Sequence, residues 1–345
     1  MKADNADKFP ILLPLSVSSL TTAKLSFLIS HFSFLISHFS RIHLLPTFST
    51  ATATVFLKRE DELGFGVSGC KKRKYASLIP YLQQEKYELV YIIGGENSNN
   101  LVGLAQTLNE VKISFFAYIK AQKNAQLKGN SLLLHLLTKP EQRIFVSTEE
   151  WENVEKIAEK EALSSGKKAY IIPEGASCTP SIEGLCGLMQ DIQRNEAEMG
   201  LTFDYIFIDA GTAYTAAVLV AMNQFLARKT KIHIVHIAGD EELFHRQYKA
   251  VEDYFKEKNI FLMPDYEAST FHYFPIIARS FGSVNATIKR AIVDFAQQEG
   301  VITDPIYTAK LLLTAKNSII TQSLQGNVLI IHSGGGTGLM GFDFS

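Results

Sequence analysis

The sequence predicts an α/β protein whose parallel sheets carry helices on both faces. Three observations lead there. From about residue 53, short β-rich apolar runs alternate with amphipathic stretches of helical length, the order that builds parallel sheets. Several of those runs, Tyr91–Gly95 (YIIGG), Tyr205–Asp209 (YIFID) and Val328–His332 (VLIIH), are apolar without alternation, as strands covered on both sides are. The chain has 345 residues, 46% hydrophobic and 20% charged, which is an ordinary globular balance and enough length for two domains.

Taken in order, the strand runs are Thr54–Leu57, Leu89–Ile93, Ile113–Tyr118, Arg143–Ser147, Ala169–Ile172, Tyr205–Ile208, Ile232–Ile237 and Val328–Ile331. Helical spacing falls on Thr148–Ser164, with Thr148 as N-cap and acids in the first turn, and on Asp240–Lys258 and Ala286–Gln298. The body of the chain holds no transmembrane run. The first forty residues differ from it. No Asp or Glu occurs from Phe9 to Leu57, and SFLISHF at 26–32 is repeated at 33–39. An acid-poor, Ser-rich stretch suits a transit peptide, although arginine is scarce. His31, His38 and Lys24 interrupt it as a membrane anchor. An extension without chemistry is the third reading, and residues 1–40 stand outside the fold argument.

Charge and cysteine content exclude several functions. Lys+Arg (34) and Asp+Glu (35) nearly cancel, so there is no nucleic-acid footprint. Cys70, Cys178 and Cys186 form no CxxC pair. That argues against a disulfide framework and a metal site and fits a reducing, cytoplasmic compartment, with organellar targeting by residues 1–40 as the alternative.

Five clusters could carry chemistry. Gly69-Cys70-Lys71-Lys72-Arg73-Lys74 follows a turn containing Gly64 and Gly66 and leads into an apolar helix. Four cations in a row usually form a solvated face. At the mouth of a helix, however, crowded ammonium groups favour the neutral amine, the nucleophile that condenses with an aldehyde. Gly94–Asn100 follows a strand, where glycines admit a ligand to the backbone and Ser and Asn supply neutral donors; a plain helix-capping turn is the other reading. Asp304–Lys310 starts a helix with Tyr307 and Thr308 in its first turn. Gly211-Thr212-Ala213-Tyr214-Thr215 joins a strand to a helix whose N-terminus suits a phosphate, or is an ordinary turn. Ser333–Gly338 looks like a dinucleotide fingerprint, but no second strand follows it. A loop closing over a bound ring is what remains.

In order and spacing these clusters resemble the family of pyridoxal-phosphate enzymes that contains 1-aminocyclopropane-1-carboxylate deaminase and D-cysteine desulfhydrase, from about residue 41 to the C-terminus. Lys58-Arg59-Glu60-Asp61 is similar to its KR(D/E)D, residues 69–74 to GNKxRK, and Gly94–Asn100 to GGxQSNH. Gly129-Asn130 with Leu132–Leu134 resembles GNLLL, Ile172–Gly175 IPEGG, Asp304–Lys310 DPVYTGK, and His332–Gly335 the closing HTGG.

The resemblance implies a two-domain type II pyridoxal-phosphate fold with the cofactor in the cleft between domains. Residues 41–74 plus 185–345 would form the large domain and residues 75–184 the small one. It implies pyridoxal 5'-phosphate carried by Lys71, not Lys72, with Asn99 on the ring hydroxyl and Ser98 on the substrate carboxylate or aiding proton transfer. Gly211, Thr212, Ala213, Tyr214 and Thr215 would hold the phosphate, and Tyr307 would act as an acid–base or positioning group. Thr308 would meet the ring nitrogen. The deaminase branch has an acid there, and the neutral Thr308 favours D-cysteine desulfhydrase-type β-elimination to pyruvate, ammonia and sulfide. The alternatives are the cyclopropane-acid deaminase itself and a catalytically impaired homologue that only binds. A small amino acid is the expected partner and a homodimer the expected assembly, with neither nucleic acid nor membrane. The chain departs from the family pattern at Asn100 (usually His), at Phe281 (usually Tyr) and in a phosphate loop with one Gly preceded by Asp209. A carboxylate aimed at the phosphate would repel it, and strand alternation is the means of turning it aside.

Overall fold

The apolar runs become strands of two sheets in the computed structural model, which describes residues 38–66, 69–121, 127–263 and 265–344. The first SFLISHF copy and most of the second lie outside the described residues. One sheet holds β1 (Ile42–Leu44), β2 (Ala53–Arg59), β7 (Tyr205–Ala210), β8 (Lys231–His236), β9 (Thr270–Tyr273) and β10 (Gly326–His332), ordered β1-β2-β10-β7-β8-β9. Only the β1–β2 pair in it is antiparallel. The other sheet is wholly parallel: β3 (Leu89–Gly95), β4 (Ser114–Lys120), β5 (Arg143–Val146) and β6 (Ala169–Ile172), ordered β5-β4-β3-β6. The helices are α1 (Cys70–Gln84), α2 (Asn99–Glu110), α3 (Gly129–Leu137), α4 (Val154–Ser164), α5 (Ile182–Met199), α6 (Tyr214–Phe225), α7 (Glu241–Glu257), α8 (Ala286–Glu299) and α9 (Thr308–Thr321).

The unalternating strands are apolar because both faces are covered. In β7, Ile206 and Ile208 enter one core and Phe207 the opposite one. In β10, Leu329 and Ile331 divide from Val328 and Ile330 in the same way. α6 is buried all round, matching its sequence YTAAVLVAMNQF.

Two strands are added and two helix starts corrected. The short strands β1 and β9 carry no signal in the sequence: three and four residues show no period, and pairing holds them in place. α4 starts at Val154 instead of following Thr148, because the Ser147 hydroxyl accepts from the Glu150 N–H (3.2 Å) and Trp151–Asn153 form a 3-10 turn. α9 starts at Thr308, not Asp304. The Asp304 side chain accepts from the N–H groups of Ile306 (2.9 Å), Tyr307 (2.8 Å) and Thr308 (3.1 Å), closing a turn ahead of the helix.

A buried ion network fixes the N-terminal half of α1. Arg73 donates to both oxygens of Glu60 (2.5 and 2.7 Å), to Asp191 on α5 (2.8 Å) and to the Gly187 carbonyl (3.1 Å). Lys58 on β2 donates to Asp191 (2.5 Å), Asn195 (2.6 Å) and the Ser40 carbonyl (2.8 Å). Burial opposes the charge on Asp191, and Lys58 and Arg73 overcome it, holding its carboxyl below the usual range. Gly184 on α5 completes the packing, since a Cβ there would lie 2.0 Å from the Arg73 carbonyl oxygen. Removing one partner of such a set strands the others without water. Asp191→Ala should therefore cost about 3–5 kcal/mol of stability in urea unfolding; a loss below about 1 kcal/mol would mean that the network is not holding α1.

Candidate active site

The two lysines that matter chemically lie on one face of α1. Gly69 caps the helix at φ +65°, and a Cβ there would sit 1.9 Å from the Ser333 carbonyl oxygen. The Cys70 N–H donates to that same carbonyl (3.1 Å), so the start of α1 is stitched to the loop after β10. Three residues apart, Lys71 and Lys74 share a face, and both line a cavity of ≈ 120 Å³, whereas Lys72 does not. Residues from the turns after β3, β7 and β10, together with Gly175 and Tyr307, complete its wall.

Each predicted residue can be placed against that cavity. Lys71 has no hydrogen-bond or ion-pair partner among the described residues. Lys74, which the sequence reading passed over, is buried, donates to the Gly175 carbonyl (2.6 Å) and lies over the Tyr214 ring. Burial drives its ammonium well below the ordinary lysine range, and the like charge of Lys71 adds to the shift. Cys70 also lines the wall, but burial pushes its thiol up to about 12, so it offers no thiolate.

Ser98 and Asn99 sit at the start of α2. Ser98 is its N-cap, accepting from Asn100 N (3.1 Å) and Leu101 N (3.3 Å). Asn130, which also donates to the Asn97 carbonyl (3.0 Å), donates to Asn99 Oδ1 (2.7 Å) and accepts from the Thr337 hydroxyl (2.8 Å). That fixes which way the Asn99 amide points, leaving its Nδ2 beside Gly335 on the cavity wall. Asn100 is held by the Tyr75 hydroxyl through its Oδ1 (2.9 Å). The Asn130 link was missed, and its only sequence signal was the matched Gly-Asn pair.

Gly211, Thr212, Ala213, Tyr214 and Thr215 all line the cavity at the N-terminus of α6. The first helical bond runs from Ala217 N to Ala213 O (2.9 Å), so the N–H groups of Tyr214, Thr215 and Ala216 have no helical acceptor. Ala213 caps the helix in the left-handed region, φ +60° and ψ −4°, a conformation natural to glycine. The loop thus keeps a glycine-like path with one glycine. Thr212 accepts from the Ser177 hydroxyl (2.8 Å). At Gly211 a Cβ would come within 3.2 Å of the Tyr307 ring, so a side chain there would need the ring to shift by a few tenths of an ångström.

Tyr307 lines the cavity; burial raises its phenol, which stays neutral. Thr308 is not brought to the wall. Its hydroxyl donates to Asp304 Oδ2 (2.7 Å) and accepts from Asp304 N (2.9 Å). Asp209 does reach the wall, among the residues that face Lys71, Ser333 and Tyr307, and its Oδ1 is sealed from solvent without a hydrogen-bond partner.

Residues 39–334 match the family described as pyridoxal-phosphate dependent enzyme. The chain belongs to that family. It is 26% identical over 306 residues to a putative 1-aminocyclopropane-1-carboxylate deaminase of Pyrococcus furiosus, covering 86% of this chain and 89% of that protein. It is also 26% identical over 304 residues to the mitochondrial bifunctional D-cysteine desulfhydrase/1-aminocyclopropane-1-carboxylate deaminase of Arabidopsis thaliana, covering 83% and 73%. Its fold is that of a crystal structure of an ACC deaminase homologue (TM-score 0.77, 21% identity, 93% of this chain and 97% of that one).

The cofactor of this family is pyridoxal 5'-phosphate, and the wall fits it. An unpaired amine, an oriented amide donor and a helix N-terminus beside a buried lysine match its aldehyde, ring hydroxyl and phosphate. Among the described residues no helix is long and apolar enough to cross a membrane.

Two outcomes follow. Ala213→Gly relieves a left-handed alanine and should raise stability by about 0.5–1 kcal/mol after the loss to chain entropy; a lower urea midpoint would contradict the strain. Lys74 keeps its proton more readily unfolded than folded, so the cofactor-free protein should gain stability as pH rises toward the ordinary lysine value of ~10.4. Lys74→Met should flatten that rise and stabilise the cofactor-free protein at neutral pH, as read by urea unfolding across the range.

Proposed function

We propose that this cavity is the cofactor site and that the protein breaks down a small amino acid to a keto acid and ammonia, with D-cysteine as the first candidate. Bound here, pyridoxal phosphate supplies an electron sink for negative charge developing at the substrate α-carbon. Lys71 would hold the aldehyde carbon and, once released by the substrate amine, take the α-proton on Nζ. Asn99 Nδ2 would meet the ring hydroxyl. The open N–H groups of α6 and Lys74 would hold the phosphate. Ser98, at the N-terminus of α2, would orient the substrate carboxylate, and Tyr307 would position the ring. The observation that carries this reading is the unpaired Lys71 on the cavity wall.

D-cysteine is favoured by the neutral Thr308, which stands in the sequence where the deaminase branch has an acid; in the fold its hydroxyl goes to Asp304 and does not itself reach the wall. The names of the relatives favour a second reading, deamination of 1-aminocyclopropane-1-carboxylate. Asn100, tied to Tyr75 where an imidazole is expected, supports a third in which the cofactor binds without turnover. We propose also that residues 75–184 form the small domain and residues 41–74 with 185–345 the large one. The strands of the four-stranded sheet fall between Leu89 and Ile172, and those of the larger sheet fall outside that span.

The loaded protein should show the visible absorption of a lysine-bound cofactor, and Lys71→Ala should lose it. Keto-acid release from D-cysteine should exceed that from the cyclopropane acid and drop on the order of 10²–10⁴-fold in Lys71→Ala. The reverse preference selects the second reading, and colour without release selects the third. A colourless wild-type protein would defeat all three.

A further inference from the structure

The cavity wall carries one ionisable side chain that the roles above leave unused. Among its described lining residues Asp209 is the sole acid, and its Oδ1 has no donor. The Ser333 hydroxyl serves the carboxyl group and burial raises its pKa, so only Oδ1 is left without a donor, and a buried polar atom in that state is costly. Its partner is therefore to be sought in what the cavity binds.

Pyridoxal phosphate has its hydroxyl, aldehyde and phosphate arm on three consecutive ring carbons, with the nitrogen on the opposite edge. On the proposed site assignment, Asn99, Lys71 and the α6 N-terminus with Lys74 account for the three substituents. With Ser98 assigned to the substrate carboxylate, the polar wall that is left is Asn100, Asp209, Tyr307 and Ser333. Tyr307 and Ser333 are neutral, and Asn100, its Oδ1 taken by Tyr75, offers only its Nδ2 donor. Thr308, expected at the nitrogen, does not line the cavity and spends its proton on Asp304. The position of Asp209 agrees with this. It sits two residues before Gly211 at the end of β7, and the groups acting on it are the Ser333 hydroxyl, the Lys71 ammonium and Asp304, not the phosphate-loop threonines.

We propose that Asp209 faces the pyridine nitrogen of the bound cofactor and keeps it protonated, doing from β7 what an acid at position 308 would do from α9. The carboxylate and the pyridinium neutralise each other in a dry site, so Asp209 is a binding group and not a source of repulsion toward the phosphate. A protonated ring is the stronger electron sink. The inference rests on the site assignment proposed above.

The test uses the full chain loaded with cofactor labelled with ¹⁵N in the ring. The wild-type signal should be that of a pyridinium, and Asp209→Asn should move it to that of a neutral pyridine. The affinity for pyridoxal phosphate should fall roughly 10-fold in the variant. The analogue with C–H in place of the ring nitrogen should bind the wild type correspondingly more weakly than the cofactor does, and Asp209→Asn should no longer distinguish the two. Should Asp209→Asn misfold, Asp209→Ser is the second variant, and the wild-type signal decides by itself in one direction: a neutral ring overturns the proposal. A pyridinium signal unchanged in the variant also overturns it. If the wild-type protein binds no cofactor, the site assignment falls first and this proposal with it, whereas binding with the wrong ring signal removes this proposal alone.

Discussion

The arrangement depends on where the first turn of α1 is held. That turn carries four cations at the positive end of a helix, an arrangement that isolated chain physics disfavours. Arg73 resolves the conflict by turning inward to Glu60 and Asp191, away from the cavity. With Arg73 locked to Glu60, just after β2, and to α5, the neighbouring lysines at 71 and 74 face the other way, into the cavity. The network thus works less as a source of stability than as a rotational stop for the helix. The backbone contact between Gly69 and Ser333 is the second stop, and it sets how far the helix can slide.

Polarity is graded across the small space that results. Lys74 and the open N–H groups of α6 lie at one end and Asp209 at the other, and burial works against the charge on both side chains. In the proposed site a bound group that is anionic at one end and cationic at the other would restore both charges, and it would be oriented with no moving part.

Much of this was legible in the sequence, for identifiable reasons. Strands with both faces buried announce themselves by unbroken apolar runs, as at Tyr205–Asp209, and helix stretches by long periods, as at Asp240–Lys258. Motif order placed Lys71, Ser98, Asn99, Tyr307 and the 211–215 loop, and the fold brings them to one wall. Interactions between segments far apart in the chain were not legible: nothing near Asn99 says that Asn130 and Thr337 will aim its amide. The Asp304–Thr308 contact is local, but a Thr in a first helical turn is equally free to point at a ligand, and the sequence does not choose. Lys74 stands at helical spacing from Lys71, but a fourth cation in a run gives no sign by itself that it will be buried. The strands β1 and β9 were too short to have a period at all.

The chain of contacts from Thr337 through Asn130 to Asn99 has a practical meaning. The segment 336–341 packs on α3 so closely that a Cβ on Gly129 would lie 2.6 Å from the Gly341 nitrogen. A displacement of residues 336–341 is therefore passed along a lever whose far end is the amide at the cavity wall.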